Sequence, residues 1–217
     1  MTSPPLLPRP PVDAARLDGR HVSLERLDVE RHGGELWDAV GSRTELWSEI
    51  PPGPFASQDA FRDWLHARAA QPGQVLYTVV DRGSGQAVGL FFVLKIDPAM
   101  GTLEIGLVYG AALQRTTGGT EAFFLLADYL LGALAYRRLE WRCNTTNLAS
   151  QRAAERFGLV REGTLRQTLF VKGRNCDTAL YALIDQDWPG LRARFAAWLA
   201  PENFGADGEQ RTPLSAF

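Results

Sequence analysis

The 217-residue sequence predicts a single mixed α/β domain, α+β-like, with a central twisted, mostly antiparallel sheet and helices on both faces. Three observations carry this. Strand-forming runs recur along the chain, and two pairs of them flank short polar turns containing glycine. Helical patterns fall between and after the strands. No internal repeat or long linker divides the chain. The expected organisation is an extended proline-bearing arm over residues 1–18, the domain over 19–200 and a polar tail over 201–217.

The elements follow in order. "HVSLERL" (21–27) alternates well enough for a first strand. "RHGGELWDAV" can begin a helix whose partial apolar face holds Leu36, Trp37 and Val40. "ELWSEIPPGPFAS" must break that helix at its prolines and glycine, yet it carries Trp47, Ile50 and Phe55. Ser57 then suits the N-cap of a helix over about 58–70, with Phe61, Trp64 and Leu65 on one face. "QVLYTVVDRGSGQAVGLFFVLKI" reads as a hairpin around "DRGSGQ", and "GTLEIGLVYG" as the next strand. Residues 120–136 are apolar almost all round, which predicts a buried helix. "RLEWRC" is another strand, and "NLASQRAAERFG" a short helix closed by Gly158. "LVREGTLRQTLF", the turn "VKGRN" and "DTALYALI" form a second hairpin, and Asp187 with Pro189 opens a last helix.

Composition narrows the function classes. Apolar content of 45% and charged content of 22% are ordinary for a globular protein. A net charge of -2 gives no electrostatic reason to expect nucleic acid or an anionic membrane as partner. The two cysteines, Cys143 and Cys176, are too few and too separated for a disulfide scaffold, so a reducing cytoplasm is the expected compartment. "MTSPPLLPRPP" lacks the apolar core of a signal peptide. The longest apolar stretch is interrupted by Asp128 and is too short to span a bilayer. His21, His32 and His66 have no ligand spacing, so no metal is expected.

Two local motifs carry chemistry. "LQRTTGGTEAFFLL" (113–126) places two glycines and three threonines between a strand end and a buried helix. The first N–H groups of a helix lack intrahelical partners, and its dipole adds partial positive charge there. The glycines leave room for a ligand, so the stretch suits a phosphate or pyrophosphate. It has neither the P-loop lysine nor the three-glycine dinucleotide fingerprint. A glycine-rich turn without a ligand remains the alternative. The second motif is Asn147-x-x-Ser150, which also reads simply as a helix cap followed by a first-turn serine.

Residues 104–188 resemble the GNAT-type N-acetyltransferases, and more closely the subgroup of ribosomal-protein-alanine acetyltransferases. The resemblance rests on "LEIGLVY", "QRTTGGTEA", "RRLEWRCNTTNLASQRAAERFG", "REGTLRQ" and "DTALYALIDQDWP". It implies a GNAT-like domain whose sheet is splayed at the cofactor site. It also implies acetyl-coenzyme A as cosubstrate and a small-molecule or peptide amine as acceptor. Backbone amides of a Q/R-x-x-G-x-G/A loop hold the pyrophosphate in that family. Here the loop is Gln114, Arg115, Thr116, Thr117, Gly118, Gly119, Thr120, with threonine at 117 where glycine is usual. A β-branched residue resists positive φ, so a rearranged turn is expected. By the same resemblance Asn147 contacts the pantetheine arm and Ser150 sits near the sulfur; Leu107 and Val108 are further candidate cofactor-binding residues. Ala154 stands where many relatives place a proton-donating tyrosine, which makes Ser150 the donor candidate.

The chemistry asks little. A departing thiol of pKa about 8.5 needs one weak donor, whereas an amine must become neutral before attack. Glu104 is the candidate base, with an exposed strand glutamate as its alternative. A backbone N–H near Val108 is the candidate oxyanion donor. Glu121 reads as structural, complementing the helix dipole. Cys143 reads as core, so direct transfer in a ternary complex is expected rather than an acyl-cysteine. Trp47 and Phe55 are the candidate substrate-side walls. The competing functions are a non-catalytic acyl-coenzyme A sensor and a site for another phosphorylated ligand. A homodimer is compatible with the sequence.

Overall fold

The computed structural model describes residues 7–205 and 207–217. The strands are β1 (Arg16–Asp18), β2 (Val22–Arg26), β3 (Val75–Asp81), β4 (Ala87–Asp97), β5 (Thr102–Tyr109), β6 (Arg138–Asn144), β7 (Val160–Val171) and β8 (Arg174–Ile184). The helices are α1 (Val29–Leu36), α2 (Thr44–Trp47), α3 (Gln58–Ala69), α4 (Thr117–Ala127), α5 (Leu148–Arg156) and α6 (Trp188–Leu199). Both α1 and α4 run on into a wider π-type turn, at Trp37–Gly41 and Asp128–Ala133.

All eight strands form one sheet in the order β1-β2-β3-β4-β5-β6-β8-β7. Every neighbouring pair is antiparallel except β5 and β6. Local chemistry explains the turns. Asp81 Oδ2 accepts both the N–H and the hydroxyl of Ser84 in the β3–β4 turn. Lys172 and Gly173, with φ of 50° and 81°, form the two-residue β7–β8 turn, as the twist of a tight hairpin requires. Ser57 caps α3 through the Ala60 N–H, and Asp28 caps α1 through those of Glu30 and Arg31.

Each face has its own core. On one side Leu36, Val40, Trp47, Phe61 and Leu65 of the α1–α3 region pack on Leu76, Leu90, Phe92 and Val108. On the other, Ala122, Phe123, Leu126, Phe157 and Phe195 pack on Leu103, Ile105, Leu139 and Trp141. The fold class and the helices on both faces therefore agree with the sequence expectation.

The ends differ from it. The segment read as a mere arm contributes β1, and Val12 is buried in the core. Tyr77 and Tyr136 donate their hydroxyls to Ala14 O and Pro10 O, fastening this stretch down. The tail is likewise held. Asn203 donates to Trp198 O and Thr212 O and accepts the Thr212 N–H, while Leu214 is buried. The short α2 was not foreseen, and Asp187 precedes α6 without a side-chain cap bond. The helix expected at 120–136 begins three residues earlier, because Thr116 caps it by accepting the Gly119 N–H.

Glu121 is structural, through a role the dipole argument did not supply. Its carboxylate is buried and accepts the backbone N–H groups of Arg20, His21 and Val22. It thereby ties the β1–β2 turn to the first turns of α4. A Cβ at Gly19 would lie 2.6 Å from the Glu121 carboxyl carbon, so a larger residue there would push the carboxylate off its donors. Removing the acceptor strands three donors, at about 1 kcal/mol or more each. Glu121→Ala is therefore expected to destabilise the fold by about 3 kcal/mol, lowering the melting temperature by roughly 6–12 °C. Thermal unfolding checks this, and an unchanged midpoint would contradict the anchoring role.

Candidate active site

The site begins where two parallel strands part. β5 and β6 pair only from Thr102 opposite Arg138 to Ile105 opposite Trp141. Beyond that point β5 stays paired with β4 as far as Tyr109 opposite Gly89. β6 stays paired with β8 as far as Asn144 opposite Thr178. Between residues 106–109 and 142–144 the sheet is therefore open. The Gly110 N–H donates to Val88 O. Alternation then turns the amides of Val108 and Gly106 toward β4, and those of Leu107 and Tyr109 toward the gap. The amides that face the gap are thus those of Leu107 and Tyr109, on either side of Val108 where the oxyanion donor is expected.

The start of α4 lies beside this gap, and the strand end is braced to it. Tyr109 donates its hydroxyl to Gly119 O at 3.0 Å, and Gln114 Nε2 donates to Tyr109 O at 2.9 Å. Burial pushes the Tyr109 phenol well above its usual value, so it remains a donor. The turn before the helix is rearranged at Arg115, whose φ is 62°; Thr117 and Gly118 are helical. The two glycines do not open space for a ligand as expected. A Cβ on Gly119 would run into the Leu113 carbonyl, and one on Gly118 would sit 3.2 Å from Val22. They allow loop and helix to pack closely. Thr116 Oγ1 takes the Gly119 N–H and Thr116 O the Thr120 N–H. The N–H groups of Thr117 and Gly118 keep no partner among the described residues. The Thr120 side chain points inward, donating to Thr116 O and accepting from Arg156. Arg115 is exposed, and its guanidinium has no ion pair among the described residues.

Across the gap, Asn147 caps α5 by accepting the Ser150 N–H at 3.0 Å. Trp141 Nε1 donates to Ser150 Oγ at 2.9 Å. The indole thus fixes the hydroxyl oxygen. Cys143 lies beside Ser150. Burial pushes its thiol up, and a hydrogen bond with Ser150 opposes this only in part.

Glu104 sits below the opening, in the paired part of β5. Its carboxylate binds Lys95 Nζ at 2.7 Å and Arg142 Nε at 3.1 Å. Glu140 lies directly opposite and bonds Arg138 and Arg142. Both cations bond Oε2, which makes Glu104 an ion-pair member, a structural alternative to its expected role as base.

The α1–α3 side of the gap is closed by the loop after α2. Trp47 is fully buried, and its Nε1 donates to Val40 O at 2.8 Å. It supports the loop from beneath and cannot be a substrate wall. Phe55, half-buried against Trp47, Phe61 and Trp64, retains a free edge. Lys172 in the β7–β8 turn donates to the carbonyls of Trp47, Ile50 and Pro52. Glu49 accepts from Asn144 at 3.1 Å, Thr146 at 2.5 Å and Arg174 at 3.0 Å. Nothing local in the sequence signalled Trp141, Tyr109 or this strap, because each joins residues from separate elements.

The chain belongs to the GNAT acetyltransferase family: the sequence profile of the acetyltransferase (GNAT) domain matches residues 24–160. It is similar over 97% of its length to 97% of a GCN5-related N-acetyltransferase from Brucella melitensis of known structure, with 39% identity and a TM-score of 0.93. Another relative is Bacillus subtilis YdaF, provisionally named a ribosomal N-acetyltransferase. It is 27% identical over 77% of this chain and 91% of its own. Spermidine N-acetyltransferase from Vibrio cholerae, solved with CoA and spermine, shares the fold. Its TM-score is 0.65 at 16% identity, over 78% of this chain and 98% of the other. The chain is thus an N-acetyltransferase of a family whose donor is acetyl-coenzyme A. No helix among the described residues is long and apolar enough to cross a membrane.

The pairing of Glu104 yields an expectation. Glu104→Gln should leave kcat within about threefold of wild type, because general-base catalysis is ordinarily worth about 100-fold or more. Steady-state thiol release checks it, and a 100-fold loss of kcat with unchanged coenzyme affinity would restore Glu104 as the base.

Proposed function

We propose that the chain transfers the acetyl group of acetyl-coenzyme A directly to a primary amine, on a protein N-terminus or a small molecule, with the thioester seated in the gap between β5 and β6. The observation that carries this reading is the Ser150 hydroxyl. Its oxygen accepts the Trp141 N–H, and its hydrogen, turned toward Cys143, can swing to a thioester sulfur seated beside it.

The residues present suit the donor. The N–H groups of Thr117 and Gly118 and the exposed Arg115 guanidinium offer an anion site for a pyrophosphate. The backbone of Leu107 and Tyr109 faces the gap and can hydrogen-bond an extended amide-bearing arm, in the manner of an added strand. Asn147 keeps its amide nitrogen available after capping α5. The donor itself supplies an activated thioester. The protein holds it, offers backbone N–H to the carbonyl oxygen as charge develops there, and donates the Ser150 hydrogen to the departing sulfur.

Direct transfer is favoured over an acyl-cysteine because the thiolate is the nucleophile and burial keeps Cys143 protonated. An α-amino group, with a pKa of about 7.7–8.0, is substantially neutral at pH 8 and can lose its proton to water. The reaction then needs no strong base on the chain.

Ser150→Ala is expected to lower kcat by about 10- to 100-fold while leaving the KM for acetyl-coenzyme A within about twofold. General-acid help to the leaving group acts only as the bond breaks. Thiol release under saturating donor reads this split. An unchanged kcat, or a loss confined to KM, would contradict the assigned role.

A further inference from the structure

The strap across the α1–α3 side of the gap holds one carboxylate that the transfer chemistry does not use. Glu49 lies between α2 and α3, and its side chain reaches β6 at Asn144, the last residue of that strand. Asn144 shares its side of the sheet with Arg142 and Glu140, opposite to Trp141 and Cys143, which pack in the α4–α6 core. Glu49 and Ser150 therefore approach the gap from opposite sides. The donor's arm belongs on the α4–α5 side, so Glu49 stands on the side left for the acceptor.

The partners of Glu49 are unequal. Asn144 and Thr146 bond Oε2, and both are part of the β6–α5 connection. Arg174 bonds Oε1, from a long side chain that is 49% exposed. Lys172 is committed to three strap carbonyls and stays with them. A small cavity of about 250 Å³ lies alongside, lined by Asn144, Thr146, Arg174 and Asp177 among others. One carboxylate oxygen is thus fixed to the frame, while the other is held by a solvent-exposed, replaceable cation.

We infer that Glu49 selects the acceptor: a second cationic group on the incoming amine takes the place of Arg174 on Glu49 Oε1. The attacking amine must be neutral, so the group that binds Glu49 is a different ammonium or guanidinium of the same molecule. The chemical class is an amine bearing another positive charge, either a diamine or a peptide with a basic side chain near its N-terminus. This rests on the transferase reading above. Glu49 keeps its carboxylate charged, through the Thr146 hydrogen bond first and Arg174 next, as an ammonium anchor requires.

The test measures thiol release at saturating acetyl-coenzyme A with matched acceptors. The pairs are 1,4-diaminobutane against n-butylamine, and N-terminally free tetrapeptides with lysine against norleucine at the second position. Wild type is expected to favour the dicationic member of a pair by about tenfold or more in kcat/KM, mainly through KM. The exposed Arg174 pair that is given up is worth little, and the better fixed charge-assisted bond gained in its place is worth about tenfold. Glu49→Gln should abolish the preference while coenzyme affinity and melting temperature stay near wild type. Arg174→Ala removes the competing cation, so it should keep or sharpen the preference. This second variant also separates binding from strap integrity if Glu49→Gln folds poorly. A preference absent in wild type, retained in Glu49→Gln or lost in Arg174→Ala would overturn the assignment. Thiol release equal for all members of the panel would overturn it while leaving the transferase reading intact. Coenzyme binding without release from any amine would overturn both.

Discussion

β5 and β6 are the one parallel pair in the sheet, and their pairing stops at Ile105 and Trp141. Both strands continue, each held by its outer neighbour, so the gap between them is built in by the register of β4 and β8. Unpaired backbone inside a sheet is costly unless something else satisfies it. A polar, extended ligand arm does so, and the donor expected for this family has that character. The roles proposed for the helix start at Thr117, the Ser150 hydroxyl and the Glu49 strap all depend on this opening.

The two cores divide the work on either side of it. On the α4–α6 side, Tyr109, Thr116 and Glu121 lock the first turns of α4 to the strand end and to the β1–β2 turn. Trp141 uses its indole N–H to orient Ser150, so a core residue sets the geometry of the proposed proton donor. On the α1–α3 side, an aromatic cluster of Trp47, Phe55, Phe61 and Trp64 supports a loop whose outer edge is fastened by Lys172 and Arg174. Rigid packing lies beneath both walls, and the exposed parts are cations that a ligand could displace or join.

Much of the fold was legible because its signals are local. The Ser57 cap, the glycine-marked turns and the alternation in β5 and β6 each depend on a few neighbouring residues, and the structure places them as read. The start of α4 was misplaced because glycines suggested a loop, whereas Thr116 capping and the Leu113 carbonyl require them inside the helix. The ends were underrated because Val12, Asn203 and Leu214 gain their burial from distant partners. The site was legible by type and less so by role. Asn147 and Ser150 open α5 directly after β6, and the 114–120 stretch leads from the end of β5 into α4. Trp47, however, proved to be core, Glu104 an ion-pair member, and Glu49 gave no signal, since its three partners lie 95, 97 and 125 residues downstream.

The most direct measurement of the central claim is a crystal structure with coenzyme A bound. The expected result has the pyrophosphate at the N–H groups of Thr117 and Gly118, the pantetheine arm between residues 106–109 and 142–144, and the sulfur within hydrogen-bonding reach of Ser150 Oγ. Coenzyme bound outside the gap, for example in the surface groove between Arg20, Phe124 and Leu199, would contradict it.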